Sequence, residues 1–276
     1  MKRIVKYKNS AGMELVFNND NTLYCENIDT DSTPGRLITE QPAFMPGQIT
    51  LDRSVGAKLI TADFAFCDRY GDNAVMDTLC EIFSPMYSGT ISIYDSYGKE
   101  YAIDVTPAAS VTPKRQEVSW VYKMSVEFIA DFPFWREGKM QNISMSYYSQ
   151  KTITNYGYVS SPLQVHILPK PEGVSRCELW FSIYEGSSIV SSKCRGTLHI
   201  YSGWEPTKDL YINCQTLAVT DGDGNDMSYM LNVTQDLSEL YLVPGKNLII
   251  SRRTSDGTAD FEVGYYLYRS GVPKWS

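Results

Sequence analysis

Apolar and polar residues alternate with a period of two along most of this 276-residue chain. Val118, Trp120, Tyr122, Met124, Val126 and Phe128 form one apolar series, with Ser119, Lys123, Ser125 and Glu127 between them. Successive side chains of a strand point to opposite faces, so this pattern predicts a half-buried strand. Ile60, Ala62, Phe64 and Phe66 predict another. Ile91 and Ile93, then Tyr101, Ile103 and Val105, flank Ser96-Tyr97-Gly98 and predict a β-hairpin turning there. The second half alternates in the same way at Leu163/Val165/Ile167, Leu179/Phe181/Ile183, Leu198/Ile200, Leu210/Ile212, Leu248/Ile250 and Phe261/Val263/Tyr265/Leu267. Asp221-Gly222-Asp223-Gly224-Asn225 and Ser255-Asp256-Gly257 read as turns between strands.

One segment changes period. Val75, Met76, Leu79, Ile82 and Phe83 recur at helical spacing before Pro85, and Asp72 or Asn73 can cap the helix. The first half is therefore expected to be mostly strand with one helix against a sheet. The second half is expected to be purely β, at spacings typical of a sandwich. A polar stretch rich in Ser and Tyr, Gln141 to Gly157, offers few core candidates and places a boundary near residues 136–160. The expected domains are 1–140 and 150–276. Residues 28–50, with Pro34, Gly35, Pro42, Pro46 and Gly47, read as a long loop or arm.

Charge narrows the function classes. Net charge is −7, and neither half is basic: residues 1–140 carry 14 basic and 19 acidic side chains, residues 141–276 carry 11 and 13. A protein whose main task is gripping nucleic-acid phosphates is not built this way. No apolar run approaches the ~18 residues of a membrane helix, and the N-terminus has no apolar core of a signal peptide. The closest pair among the six cysteines is 13 apart, so no zinc-ribbon spacing exists. They read as reduced thiols, mostly buried, of a protein made in a cytoplasm.

Catalytic motifs are absent: no G-x-S-x-G elbow, P-loop or G-x-G-x-x-G occurs. His166 and His199 are each the off-phase residue of an alternating strand, which predicts two half-exposed strand histidines rather than metal ligands. The turn at Asp221 has calcium-loop chemistry, but Asp226 and Asn232 stand where an EF-hand needs glycine and a bidentate glutamate. Twenty tyrosines suit strands, and they also suit contact surfaces. Tyr147, Tyr148, Tyr156 and Tyr158 fall outside the alternation and point to contact with a partner or the other domain.

The order of landmarks resembles the distal tail protein (Dit) family of long-tailed bacteriophages and related tail-like particles. The resemblance runs through the strand Lys58–Cys67, a short helix, the turn Phe83-Ser84-Pro85 into Gly89-Thr90-Ile91-Ser92-Ile93, and the strand at Glu100–Val105. It closes on Asp131, Pro133, Phe134 and Trp135, with Phe132 as a departure from the family's pattern. Asn155-Tyr156-Gly157 with Pro162, Leu210-Tyr211-Ile212-Asn213-Cys214 and Leu242-Val243-Pro244-Gly245-Lys246-Asn247 resemble later family motifs. The first 50 residues match poorly.

The resemblance implies a β-rich, ring-forming N-terminal domain that contacts the tail tube and a galectin-like C-terminal β-sandwich. It implies a homo-hexamer at the tail tip, between the tail tube protein and the tail-associated baseplate hub protein. Receptor-binding or other peripheral baseplate proteins would dock outside, and genomic DNA would pass without specific binding. The expected setting is the virion, assembled in the bacterial cytoplasm, with no membrane partner, cofactor or catalysis. Asp131, Pro133, Phe134 and Trp135 are then expected at the domain junction. Ser96, Tyr97 and Gly98 at a hairpin tip, with Pro34, Gly35 and Pro46 in the arm, are expected at inter-subunit contacts. The alternative is a carbohydrate-binding sandwich contacting host cell-wall glycans, with Trp204, His199 and Arg195 as a sugar pocket. A glycoside hydrolase would need two carboxylates about 5–10 Å apart.

Overall fold

The computed structural model describes residues 3–19, 23–30, 35–40, 49–67, 74–115, 120–146, 148–169, 179–189, 193–200, 208–231, 236–252 and 260–272. The chain divides into two compact units, residues 1–138 with 269–276, and residues 139–268. The last residues group with the first unit, a return that alternation along the chain does not reveal.

The first unit comprises β1 (Ile4–Asn9), β2 (Glu14–Phe17), β3 (Leu23–Ile28), β4 (Gly35–Glu40), β5 (Ile49–Val55), β6 (Lys58–Cys67), α1 (Ala74–Ile82), β7 (Gly89–Tyr94), β8 (Glu100–Pro107), β9 (Lys114–Arg115), β10 (Val121–Ala130) and the start of β11 (Trp135–Met145). β2, β1, β7 and β8 pair antiparallel in that order, and β10, β6 and β3 form a second run. β8 joins the two runs where Pro107 and Thr106 meet Phe128 and Ile129. The predicted apolar series lies inward: Ile60, Ala62, Phe64 and Phe66 of β6 face the core with Met124, Val126 and Phe128 of β10. Trp120 departs from its series and is exposed, and Tyr122 is half-buried, stacked on Phe66 at 5.1 Å. Val118, Asp72 and Asn73 lie outside the described residues.

Helix α1 seals this core with Leu79 and Ile82, followed by Phe83. Phe83 is fully buried and stacks on Tyr7 at 5.0 Å and on Phe64 at 5.5 Å. Such ring pairs add to the burial of their apolar area. Val272 also lies in this core, and its N–H donates to the Thr30 carbonyl at 3.1 Å.

Residues 28–50 are not a plain loop. β4 and β5 pair antiparallel from Gly35↔Val55 to Glu40↔Ile49, with a register shift between Ile38 and Thr39. Among the described residues this two-stranded sheet pairs with no other strand. The Pro and Gly residues that suggested a loop bracket short strands, and Pro34 and Pro46 lie outside the described residues.

The second unit continues β11 and adds β12 (Gln150–Asn155), β13 (Ser161–Pro162), β14 (Gln164–Ile167), β15 (Leu179–Glu185), β16 (Lys193–Ile200), β17 (Leu210–Asn213), β18 (Ala218–Asp221), β19 (Tyr241–Leu242), β20 (Gly245–Ser251) and β21 (Phe261–Arg269). One sheet runs β18-β17-β14-β21, with β11 beyond β21; the other runs β12-β20-β15-β16. Val165, Ile167, Ile212, Phe261 and Val263 from the first meet Phe181, Ile183, Leu198 and Ile249 from the second in one core. Phe181 and Phe261 stack across the layers at 5.2 Å. The unit is a β-sandwich, in line with the expected fold class.

Three expectations are corrected here. The polar stretch 141–157, expected to offer few core residues, is strand: β11 runs to Met145 and β12 follows, burying Met145 and Ile153. In β20 Ile249, paired with Ile183, joins the inter-sheet core; Leu248, on the opposite phase, is also buried, and Ile250 is half-buried. The continuous run Leu248-Ile249-Ile250 fits either register, and the partner strand decides. Of the five described cysteines only Cys214 is buried: Cys25 and Cys67 are half-buried, Cys80 and Cys194 exposed, and all five are free thiols.

Candidate functional site

The strongest projecting feature of the first unit is the β7–β8 hairpin. Its strands pair from Gly89↔Val105 to Tyr94↔Glu100. Asp95 builds the turn: its Oδ1 accepts the N–H groups of Tyr97 and Lys99, both at 2.8 Å, and its carbonyl accepts the Gly98 N–H at 3.0 Å. Gly98 adopts φ +77°, which a residue without Cβ takes at little cost. The result presents Ser96, Tyr97 and Gly98 at the tip, with Tyr97 90% exposed. A second exposed apolar feature is the cross-strand pair Leu59↔Ile129 on the outer face of β6 and β10. Gly35 begins β4 of the separate two-stranded sheet.

Asp131, Pro133, Phe134 and Trp135 all lie in the first unit, between β10 and the start of β11. Trp135 is fully buried in that unit's core. Phe134 meets Phe132 edge-to-face at 5.2 Å. Two residues further on, the buried Glu137 carboxylate pairs with Lys99 below the hairpin tip and with Arg269 at the end of β21. A carboxylate with so little access to water needs such partners.

In the second unit the motif asparagines turn out to be architectural. Asn155 is 2% exposed; its Oδ1 accepts the Gly157 N–H at 2.8 Å, and its Nδ2 donates to Val159 O at 3.1 Å and Leu242 O at 3.0 Å. Asn247 braces the turn before it, accepting from the Val243 N–H at 2.9 Å and donating to Val243 O and Gly245 O. Asn213 Oδ1 accepts from the N–H groups of Gln215 and Thr216. Buried amides of this kind satisfy turn backbone that the sheets leave unpaired. Tyr148, Tyr156 and Tyr158 are exposed, and Tyr147 lies outside the described residues.

The acidic turn is self-contained. Asp221 Oδ1 accepts from the N–H groups of Asp223 and Asn225, and Oδ2 accepts from the Asn225 amide at 2.9 Å. These bonds, the Asn225 side chain first, hold the Asp221 carboxyl below its ordinary range, and the Lys208 ammonium adds to the effect. Among the described residues no cluster of His, Cys, Asp and Glu has metal-site geometry.

Of the suggested sugar pocket, Arg195 and His199 lie four residues apart on β16. Trp204 lies outside the described residues. Arg195 holds Glu185 through Nε at 3.1 Å and Nη2 at 2.7 Å, and donates from Nη1 to the Tyr241 hydroxyl at 3.1 Å. His199 stacks on Trp180 at 4.9 Å, and Arg252 lies over the Trp180 ring at 4.8 Å. Both histidines are half-exposed strand residues, as their phase predicts.

A different face of the sandwich forms a groove. Pairing of β14 with β17 and β21 sets His166 opposite both Tyr211 and Glu262, and Gln164 opposite both Asn213 and Gly264. His166 stacks on Tyr211 at 4.5 Å with ring planes 8° apart. Its Nε2 lies 2.7 Å from Asp209 Oδ1, and an ionised carboxylate only accepts, so this nitrogen carries the proton. The groove is about 420 Å³ and is also lined by Met140, Asn142 and Thr220. Sequence reading marked His166 and Asn213 separately; strand register brings them beside Tyr211, Glu262 and Gly264.

Together these features define a class: a β-rich unit carrying one helix and a projecting hairpin, followed by a β-sandwich, with its prominent residues on surfaces. Solved structures of phage proteins share that arrangement. The chain is similar to the Dit protein of phage SPP1, described as a paradigm of the hub adsorption apparatus in phages infecting Gram-positive bacteria, with TM-score 0.65 and 11% identity over 96% of this chain and 99% of that one. It is also similar to a chain of the phage P2 baseplate in its activated conformation, solved with calcium (TM-score 0.55, 11% identity) and with strontium (0.54, 10%), each covering 96% of this chain and 98% of the other. The chain has the Dit-like fold. No family model matches the sequence, and no curated protein matches it.

Proposed function

We propose that this chain is a structural subunit of a phage-type tail tip, acting through its surfaces and without catalysis. The observation that carries the reading is the end-to-end fold match with SPP1 Dit, spanning 96% of one chain and 99% of the other. In this reading the first unit, residues 1–138 with 269–276, forms the ring and meets the tail tube, and the second unit, residues 139–268, faces outward. Six copies close a ring between the tail tube protein and the baseplate hub protein, and the sandwiches carry receptor-binding or other peripheral proteins. The setting is the virion, after assembly in the bacterial cytoplasm.

Several features favour this reading. The Ser96-Tyr97-Gly98 tip holds an exposed tyrosine on a rigid turn, a residue type suited to contact at low entropy cost. The β4–β5 sheet leaves strand edges without partners among the described residues, and such edges invite pairing with another copy. Trp135 anchors the start of β11, the strand along which the chain passes from the first unit to the second. Six chains of net charge −7 give about −42 per ring, a sign that lets DNA pass a central channel without adhering.

Co-expression with tail-tube and hub proteins from the same particle tests the proposal. Recovery of a complex containing both, weakened by deleting residues 35–55, is the expected result. Failure to retain either partner would contradict it.

A further inference from the structure

We propose that the outer face of the β21-β14-β17-β18 sheet is a binding site for an uncharged saccharide. The proposal stands on this face alone and does not depend on the tail-tip reading.

Gly264, opposite Gln164, contributes no side chain to the groove beside Met140 and Asn142. A Cβ at Gly264 would stand 2.7 Å from the Met140 sulfur and 3.0 Å from Asn142 Oδ1. The glycine therefore lets those two side chains close one side of the groove. The other side is the Tyr211 ring, 44% exposed yet held in one plane by its stack on His166, which Asp209 orients. An exposed ring with a fixed plane offers an apolar face for the C–H side of a pyranose at little entropy cost.

The polar lining has the matching character. The amides of Asn142 and Gln164 make no side-chain hydrogen bond among the described residues, and Asn213 has its NH₂ to spare. Among the described residues the Glu262 carboxylate accepts one side-chain hydrogen bond, from the Ser144 hydroxyl at 3.2 Å, and His166 Nδ1 lies 4.0 Å away. Amides that donate and accept, beside a carboxylate that accepts, suit hydroxyl groups that do both. The carboxylates of Glu262 and Asp209 disfavour a phosphorylated or otherwise anionic ligand. A volume of about 420 Å³ is that of a small-molecule site rather than of a protein footprint.

The test uses the full chain on an array of neutral and N-acetylated oligosaccharides, followed by titration of the strongest responders. Tyr211→Ala and Gln164→Ala, with melting temperatures checked, are compared with Tyr229→Ala, an exposed tyrosine outside the groove. The expected result is saccharide retention reduced roughly tenfold or more by each groove variant and unchanged in Tyr229→Ala. No retention of any saccharide overturns the assignment, as does retention that survives both groove substitutions. Groove variants that release a bound baseplate protein, with sugar retention absent throughout, also overturn it and assign the face to a protein partner.

Discussion

Replacing Asn155 by alanine removes three hydrogen bonds from a dry corner of the sandwich. The side chain is 2% exposed and joins the start of the Asn155–Val159 turn to the Leu242 carbonyl, 87 residues away in sequence. Each such bond contributes about 1 kcal/mol net, and its orphaned partner finds little water there, so the loss is about 3 kcal/mol. For a domain of this size that lowers the melting temperature by roughly 10 °C. Scanning calorimetry of the full chain reads this directly. Asn155→Asp sharpens the test. It keeps the acceptor for the Gly157 N–H but turns a carboxylate oxygen toward two carbonyls, which raises its folded-state pKa. Its folded state then binds more protons than the unfolded one, so its defect exceeds that of alanine at pH 7 and shrinks as pH falls toward the ordinary carboxylate value near 3.9. A cost below about 0.5 kcal/mol for Asn155→Ala, or an aspartate variant no worse than alanine at pH 7, would refute the reasoning.

Phe83→Ala empties a fully buried ring site against Tyr7, Phe64 and Phe128 and should cost roughly 3–5 kcal/mol in denaturant unfolding. Burial pushes the thiols of Cys25 and Cys214 up to about 12, so alkylation at pH 8 should spare them in the folded protein while the exposed Cys194 reacts; mass spectrometry by site reads the order. The Asp221 carboxyl is depressed by its hydrogen bonds, so the stability it gives is present above the unfolded value near 3.9 and is lost as pH falls through the lower folded value. Asp221→Asn should be less stable at pH 7 and should flatten that acid limb in melting curves taken between pH 7 and pH 2.5.

Much of the fold is legible along the chain because period-two alternation reports burial directly. Ile60 to Phe66, Met124 to Phe128 and Phe261 to Tyr265 lie inward as their phase predicts. The failures have physical causes. Leu248-Ile249-Ile250 is apolar throughout, so only pairing with Ile183 fixes its phase. The stretch from Gln141 to Gly157 offers few core candidates to the eye because its interior residues include a polar one, Asn155, which bonds a carbonyl distant in sequence. The β4–β5 pairing is masked by the prolines and glycines around it. The groove was legible only in pieces. His166 stands out as an off-phase polar residue and Asn213 within the Leu210–Cys214 motif, but cross-strand register, which no single segment encodes, joins them to Tyr211, Glu262 and Gly264.

The ring itself is the most direct test. Light scattering of the purified chain, alone and with its tail-tube protein, followed by negative-stain imaging of the same samples, measures it. The account predicts a species of about 187 kDa, six chains of 31.2 kDa, with a central hole. A mass of 31.2 kDa for this chain under both conditions, with no ring in the micrographs, would contradict it.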